Sequence, residues 1–380
     1  MRVLLGDTML GRRQVVHNLF AVMASLSFAG GARRARADVP MIFDETLRAA
    51  IPHGTRLRIV AETGKPAVAG GPYLWHAAPD GGACFGAPDG GWIYVSNSEM
   101  GRKRGGAGAL RFDAGGNVVD SYSILQGTSV NCAGGKTPWG TWLSCEENGD
   151  VGLVYECDPS GKGSAVVRPG LGACNHEAAA IDPVTGICYL TEDRPDGCLY
   201  RFVPQSSGDL SSGRLEVAVS SGDRLTWTAV PDPSGVSAPM RKQIPGAAIF
   251  KGGEGIVHTE GKIFFTTKGD NRVWSYTLAT GEIAVIYDAA ATATPILRGV
   301  DNIEVSPSGE LLIAEDGGDM QIVALGRDYK PYALVTLQGH DNSEIAGPAF
   351  SPDGKRLYFS SQRGIGGKSE TGLTYELAFA

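Results

Sequence analysis

The sequence lacks the signature motifs of several common enzyme classes. Its 380 residues contain no Gly-x-Ser-x-Gly elbow, no glycine-rich phosphate loop opening a helix and no His-Glu-x-x-His pair. These absences exclude the usual settings of a serine hydrolase, a P-loop nucleotide enzyme and a zinc peptidase. Only six residues are histidine, which disfavours a metal site made mainly of imidazoles. The net charge of −7 and the lack of a basic stripe argue against nucleic acid as a partner.

The N-terminal segment also lacks an apolar run long enough to span a bilayer, which needs about 20 residues. Its shorter apolar run, residues 19–32, follows Arg12-Arg13 and precedes Ala35-Arg36-Ala37. This order is typical of a secretory signal, and the paired arginines favour the twin-arginine route. The sequence therefore predicts a signal peptide over residues 1–37 and a periplasmic or secreted protein over residues 38–380, without stable membrane insertion. Cleavage would change the net charge from −7 to −12.

Glycine, in contrast, is abundant. The chain has 54 glycines, about twice the roughly 7 % of average usage. Glycine destabilises helices and serves where the backbone needs a positive φ, so this excess predicts many tight turns and excludes an all-helical bundle.

Seven cysteines follow the predicted signal: Cys84, Cys132, Cys145, Cys157, Cys174, Cys188 and Cys198. In an oxidising compartment they could pair, and Cys145 with Cys157 or Cys188 with Cys198 are candidate pairs on neighbouring strands. The odd number leaves at least one thiol for another role, such as metal binding. The connectivity stays open at this point.

A pattern of apolar strand, tight turn and returning apolar strand recurs six times. Its turn glycines are Gly90, Gly140, Gly186, Gly261, Gly309 and Gly354, spaced by 50, 46, 75, 48 and 45 residues. Repeats of about 40 to 50 residues with a few short strands each are typical of propeller blades. We therefore predict a single all-β domain, a six-bladed β-propeller, with an insertion around residues 205–244. Two tandem β-sandwiches are the alternative, but they would not predict one period along the chain.

Acidic residues recur where these hairpins begin and end. The two ends of a hairpin lie at the same edge of the sheet, so in a closed propeller they converge on one mouth of the central channel. Twelve carboxylates share this placement: Glu99, Glu146, Glu147, Glu177, Glu192, Asp193, Glu254, Asp270, Asp301, Glu315, Asp316 and Glu344. So many acids cannot all ionise close together without compensation. Carboxylate and amide oxygens suit calcium, whereas a thiolate from Cys132 favours a transition metal.

Three blocks of the sequence resemble a known family. The longest runs from Asn131 to Asn148 and reads Asn-Cys-Ala-Gly-Gly-Lys-Thr-Pro-Trp-Gly-Thr-Trp-Leu-Ser-Cys-Glu-Glu-Asn. The others are Asn175-His-Glu-Ala178 and Tyr189-Leu-Thr-Glu-Asp193. Together they resemble the PhoX-type alkaline phosphatases, bacterial metal-dependent β-propeller enzymes. One departure is Asn97-Ser98-Glu99, which stands where the family has Asn-His-Glu.

The resemblance implies a monomer exported by the twin-arginine route that holds iron and calcium at its channel mouth. It also implies hydrolysis of small-molecule phosphate monoesters with broad specificity. It implies that Cys132 ligates iron and that Glu177, Glu254, Glu315 and Glu344 bind metal. Together with the strand-end pattern, it gives nine candidate metal ligands: Cys132, Glu147, Glu177, Glu192, Glu254, Asp301, Asn302, Glu315 and Glu344.

The leading hypothesis is an exported metal-dependent phosphatase in which a metal-bound oxo or hydroxide attacks phosphorus in line. Arg194, Lys268 and Arg363 are the candidates to bind the phosphoryl oxygens. A calcium-dependent lactonase or esterase propeller is the first alternative, because residues 299–309 resemble the Asp-Asn strand of that class. The second alternative is a non-catalytic propeller in which metal ions only tie the blades together.

Overall fold

The computed structural model describes residues 40–379, and the predicted signal peptide lies outside the described residues. The described part of the chain is almost entirely β-structure. It begins with three strands, β1 (Met41–Asp44), β2 (Ala49–Pro52) and β3 (Thr55–Glu62). Residues 40–379 contain no α-helix, only five single-turn 3₁₀ helices: Gly149–Val151, Pro169–Leu171, Met240–Lys242, Ala289–Ala291 and Ser369–Thr371. None of these is long and apolar enough to cross a membrane.

The first three sheets follow one another along the chain as antiparallel meanders. Blade 1 contains β4 (Pro79–Gly86), β5 (Trp92–Ser98), β6 (Gly105–Phe112) and β7 (Val118–Thr128). Blade 2 contains β8 (Asn131–Lys136), β9 (Trp142–Glu146), β10 (Val154–Cys157) and β11 (Val166–Val167). Blade 3 contains β12 (His176–Ile181), β13 (Cys188–Glu192), β14 (Leu199–Pro204), β15 (Gly213–Ser221) and β16 (Arg224–Ala229).

The remaining three sheets complete the set, and two of them recruit N-terminal strands. Blade 4 contains β17 (Gly253–Thr259), β18 (Lys262–Thr267), β19 (Arg272–Thr277) and β20 (Ile283–Asp288). Blade 5 contains β21 (Val300–Val305), β22 (Leu311–Glu315), β23 (Gln321–Leu325) and β24 (Pro331–Leu337), extended by β2 and β1. Blade 6 contains β25 (Ile345–Phe350), β26 (Arg356–Ser361) and β27 (Leu373–Phe379), with β3 as its outermost strand.

The blades close into a ring. Their first strands contact one another in the order β4, β8, β12, β17, β21, β25 and back to β4. Six separate hydrophobic clusters fill the six interfaces between neighbouring sheets. Because β3 pairs with β27, a strand from the beginning of the described chain completes the last blade. The prediction of a six-bladed β-propeller is confirmed.

The six turn glycines behave as the repeat pattern requires. Gly90, Gly140, Gly186, Gly261, Gly309 and Gly354 all have a positive φ, between 69° and 87°. Each lies in the turn between the first and second strands of its blade, a conformation that side chains with a Cβ rarely adopt. These turns lie at the end of the propeller opposite the predicted metal ligands.

The structure revises the expectation for the cysteines and describes the predicted insertion. All seven cysteines, which lie within residues 40–379, are buried free thiols, so the structure contains neither candidate disulfide. The region 205–244, predicted as an insertion, is partly β-structure. It includes the last two strands of blade 3, β15 and β16, followed by a long connection that contains the 3₁₀ helix Met240–Lys242.

The ring of first strands leaves no room for side chains at several positions. A Cβ on Gly135 would overlap Ala179 O of blade 3, whereas a Cβ on exposed Gly86 would have Pro352 Cγ, 3.9 Å away, as its nearest neighbour. We expect Gly135→Ala to destabilise the fold by about 1–3 kcal/mol, the usual range for overpacking. Gly86→Ala should change stability by much less, and thermal unfolding of the two variants compares them. Equal melting temperatures would contradict this packing of blades 2 and 3.

Candidate active site

Each blade carries a β-bulge at the start of its first strand, where the pairing with the second strand slips by one residue. In five blades the first bulged residue has a metal-binding side chain, and these residues are Asp80, Cys132, Glu177, Glu254 and Asp301. The corresponding residue of blade 6 is Gly347, with φ 63°. Bulges re-aim side chains and are frequent beside active sites. Here they place five potential ligands on adjoining strands.

The bulged backbone is held by side chains of the preceding blade. Asn97 donates to the carbonyl oxygens of Cys132 and Ala133, at 3.1 and 2.8 Å. Thr191 donates to Glu254 O at 2.5 Å, and Thr266 to Asp301 O at 2.6 Å. Carbonyls that lose their ladder partner at a bulge thereby keep a hydrogen bond.

Four overlapping groups of acidic or thiol side chains result. Within each group the ligand atoms lie within 4.8 Å of one another: Glu99, Cys132 and Glu147; Asp80, Glu99 and Glu344; Asp301, Asp316 and Glu344; Glu177, Glu254 and Asp301. Glu99, Glu344 and Asp301 each belong to two groups. The nine residues form one continuous set, the mouth cluster: Asp80, Glu99, Cys132, Glu147, Glu177, Glu254, Asp301, Asp316 and Glu344.

The alternation of side chains along a strand separates acids that are adjacent in sequence. At the end of β22, Glu315 accepts hydrogen bonds from Arg298 N at 2.8 Å and Gln321 N at 3.0 Å, whereas Asp316 joins the mouth cluster. At the end of β13, the fully buried Glu192 accepts from Tyr200 Oη at 2.8 Å and from Arg241 at 3.0 Å. Glu192 and Glu315, both predicted as metal ligands, therefore lie outside the mouth cluster and stabilise the ends of their blades.

Glu315 and Asp316 are adjacent in sequence, so variants of the two test whether Asp316 binds metal and Glu315 does not. Each carboxylate oxygen of Glu315 accepts from one backbone N–H group, Arg298 N or Gln321 N. In Glu315→Gln an amide NH2 would replace one of these oxygens and leave an N–H group facing a donor, which should cost about 1–3 kcal/mol and lower the melting temperature by a few degrees. Asp316→Asn should lower the metal content instead. Elemental analysis and thermal unfolding of both variants measure the two effects. Metal loss in Glu315→Gln with retention in Asp316→Asn would reverse the assignment.

Burial of the mouth cluster penalises charge on its members. It raises the pKa of Glu147 to about 8, with Asp193 and Glu99 adding repulsion, and the pKa of Asp301 to about 7. Burial, followed by the nearby carboxylates, raises the pKa values of Asp80 and Glu177 well above the usual range. The pKa of the Cys132 thiol rises for the same reasons. A bound cation would reverse this penalty, because it favours the ionised ligands.

The three basic residues predicted to bind phosphate occupy different environments. Lys268 Nζ lies 3.1 Å from Glu254 and 3.2 Å from Asp316, and Arg363 lies 3.3 Å from Glu344. Both cations therefore contact the mouth cluster. Arg194 lies on the β13–β14 turn, and within residues 40–379 its side chain forms no ion pair and its buried Nε has no hydrogen-bond partner.

Asn302, another predicted ligand, supports the cluster instead of joining it. Its Nδ2 donates to Asp301 Oδ1 at 2.8 Å, and its Oδ1 accepts from Gly347 N at 2.7 Å. It also lines a cavity of about 490 Å³ that follows the channel beyond the bulges. None of the nine residues of the mouth cluster lines that cavity, so the cluster lies at one end of the channel.

Comparison with known proteins identifies the family. A model of the family "Alkaline phosphatase PhoX" matches residues 83–273 and 258–364. The chain belongs to the PhoX alkaline phosphatase family. This agrees with the resemblance of the Asn131 to Asn148 block, which lies inside the matched region. No curated protein matches the chain.

Solved structures share the propeller fold. Pseudomonas fluorescens PhoX, determined in complex with vanadate as a transition state analogue, is 16 % identical with a TM-score of 0.72, over 87 % of this chain and 96 % of that chain. A Bacteroides thetaiotaomicron protein of unknown function is 9 % identical with a TM-score of 0.53, over 85 % and 76 % of the two chains. At these identities the likeness to PhoX and to the second protein shows the fold alone.

Metal ions fit the donors that this PhoX-family chain provides. Glu177 Oε2 is buried and has no hydrogen-bond partner within residues 40–379. The Cys132 thiol lies 3.3 Å from Glu177 Oε1 and 3.7 Å from Asp80 Oδ2. A buried carboxylate oxygen without a partner is costly unless it is protonated or meets a cation. The oxygen-rich set with one thiol suits both hard cations and a transition metal.

The sequence did not single out Asp80, and Glu99 and Asp316 were not among the nine candidate metal ligands predicted from it. Asp80 follows Ala78-Pro79 and precedes Gly81-Gly82, which is typical of a turn, yet it is the first bulged residue of blade 1. The sequence does contain a pattern that could have identified Asp80, because each of the five bulged potential ligands is followed by a small residue or asparagine. The pairs are Asp80-Gly81, Cys132-Ala133, Glu177-Ala178, Glu254-Gly255 and Asp301-Asn302.

Proposed function

We propose that this chain is an exported, metal-dependent phosphatase that hydrolyses phosphate monoesters at the mouth cluster. The observation that carries the proposal is the convergence of five bulged ligands and four further carboxylates on one end of the propeller. Membership of the PhoX family supports the reaction class, and the buried unpartnered oxygen of Glu177 supports cation binding.

The donor types favour particular metals. Glu99, Cys132 and Glu147 combine a thiol with carboxylates, which suits iron, because soft thiolates select transition metals. The other three groups contain only carboxylates, and calcium prefers such oxygen donors. Glu99 and Asp301 each belong to two of the groups, so each could contribute to two metal sites. Bound ions would neutralise charge on the phosphate and activate water for attack on phosphorus.

The protein itself would orient the ester and stabilise negative charge. Burial lowers the pKa of the Lys268 ammonium, but Asp301, Glu254 and Asp316 together raise it above its usual range, so the side chain stays protonated. The Arg363 guanidinium remains charged beside Glu344. Both cations can donate hydrogen bonds to phosphoryl oxygens, which gain charge in the transition state. Lys268 also offsets the repulsion between Glu254 and Asp316.

An assay with metal removal tests this function. The mature protein should hydrolyse p-nitrophenyl phosphate, lose the activity after dialysis against strong chelators, and regain it when iron and calcium are restored together. Full activity in the metal-free protein would contradict the metal requirement. No cleavage with both metals supplied would contradict the phosphatase assignment.

Export by the twin-arginine route remains part of the proposal, and it rests on Arg12-Arg13 and the apolar run that follows. Substituting both arginines with lysine should leave the protein unprocessed in the cytoplasm, because that route reads the arginine pair. Cell fractionation measures the distribution, and an unchanged periplasmic or secreted fraction would contradict the assignment.

A further inference from the structure

One exposed turn at the mouth end of blade 1 is strongly basic. Arg102, Lys103 and Arg104 lie between β5 and β6, directly after Glu99 of the mouth cluster and Met100-Gly101. All three side chains are exposed. Arg102 is only three residues from Glu99, so their Cα atoms are separated by at most about 10–11 Å. In an acidic protein, this places positive charge beside the cluster.

The backbone of this turn adopts a conformation that its side chains disfavour. Arg104 N donates to Gly101 O, and the two central residues, Arg102 and Lys103, have φ values of 60° and 57°. Two consecutive positive φ values belong to turns that normally contain Asn-Gly. Strained residues that persist against such preferences concentrate at ligand-binding and catalytic sites.

Hydrogen bonds fix this turn beside the segment that leads to Cys132. Lys103 N donates to Ser129 Oγ at 2.9 Å, and Val130 N donates to Met100 O at 3.0 Å. Glu147 N in turn donates to Val130 O at 2.7 Å. The basic turn is therefore attached to the same backbone that positions the group of Glu99, Cys132 and Glu147.

The three cations also remain available to a ligand. Within residues 40–379, none of Arg102, Lys103 and Arg104 forms an ion pair. Lys268 and Arg363, in contrast, are paired with carboxylates of the mouth cluster. The basic turn can therefore meet an anion without first breaking an internal pair.

We infer that residues 102–104 form an anion subsite that selects phosphate monoesters carrying a second anionic group, such as another phosphate. This inference rests on the proposed phosphatase function. The scissile phosphate would occupy the mouth cluster, and the second phosphate would meet Arg102, Lys103 and Arg104. The short chain separation between Glu99 and Arg102 suits a small bisphosphate as the preferred substrate. Exposed cations beside the mouth cluster also increase the rate at which anions reach the site.

The test uses a variant that removes the charges and keeps the turn. Arg102→Asn with Lys103→Gly introduces the residues that positive φ favours, and Arg104→Gln removes the third charge. The melting temperature should stay the same or rise. The ratio of kcat/KM for fructose 1,6-bisphosphate to that for fructose 6-phosphate should fall about tenfold, as expected when several exposed ion pairs are lost.

A matched control removes three charges from the opposite end of the propeller. Lys162, Lys330 and Lys355 lie in exposed turns there, and their replacement by glutamine should leave the ratio unchanged. In the wild-type protein, raising the salt concentration to about 1 M should lower the ratio toward that of the basic-turn variant.

The possible outcomes distinguish failure of the anion subsite from failure of the proposed phosphatase function. A ratio that does not change in the basic-turn variant, or that falls equally in the control, overturns the subsite. A wild-type protein that cleaves both esters with equal kcat/KM overturns the subsite and leaves the phosphatase proposal intact. A metal-loaded wild-type protein that cleaves neither fructose ester overturns the subsite, and one that also fails to cleave p-nitrophenyl phosphate overturns both proposals.

Discussion

Replacing Cys132 with alanine should lower phosphatase kcat/KM by at least about 100-fold and reduce the iron content in parallel. Cys132 is the one thiol of the mouth cluster and lies beside Asp80 and Glu177. Loss of residues that only support metal ligands already costs 10- to 100-fold, so loss of a ligand should cost no less. Steady-state kinetics and elemental analysis of the same preparation measure both effects.

Another buried cysteine provides the control for the packing defect. Cys157 is 0 % exposed and lies at the end of β10, outside the mouth cluster. Cys157→Ala should destabilise the fold through the cavity it creates, yet keep its metal ions and its activity. An active, iron-containing Cys132→Ala variant would contradict the assignment of the thiol as a ligand.

Removing the metal ions should make the stability of the protein strongly dependent on pH. In the metal-free protein, buried acids such as Glu147 and Asp301 have pKa values of about 8 and about 7, well above those of exposed carboxyls. The folded state then binds more protons than the unfolded state between about pH 4 and pH 8, so stability falls as the pH rises through this window. Bound metal ions would keep the same carboxylates ionised and compensated.

Thermal unfolding at two pH values makes this measurable. We expect the metal-free protein to melt at least about 10 °C lower at pH 8 than at pH 5.5, because several buried acids contribute in the same direction. The metal-loaded protein should show a much smaller or opposite difference. The control is the same preparation after iron and calcium are restored. A metal-free protein that is as stable at pH 8 as at pH 5.5 would mean that the cluster is not under electrostatic strain.

Much of the architecture could be predicted from the sequence. The turn glycines recur at near-regular intervals because each blade needs a positive φ at the same turn, as Gly90 and Gly354 show. The closure of blade 6 by β3 could not be predicted, because strand pairing between distant segments leaves no local pattern. The strands β15 and β16 were overlooked because the Ser-, Gly- and Pro-rich residues around them dominate the composition.

The candidate site was predictable to within one residue at most strand ends, but not at the start of β4, where Asp80 was missed. Cys132, Glu177, Glu254 and Asp301 were found because they open apolar strands. The pairs Glu315-Asp316 and Glu192-Asp193 show what could not be predicted. Neighbouring side chains on a strand face opposite ways, and the sequence does not reveal which residue of each pair faces the mouth. On the first strands the bulges add a further uncertainty, because they insert one residue between the turn and the mouth.

Anomalous X-ray scattering from crystals of the mature protein tests the central claim most directly. Data collected at the iron edge and at a longer wavelength sensitive to calcium would locate both metals. We predict an iron peak bonded to Cys132 Sγ and carboxylates of its group, and calcium peaks among Glu177, Glu254, Asp301 and Glu344. Metal-loaded crystals with no anomalous peak in the mouth cluster would contradict the account.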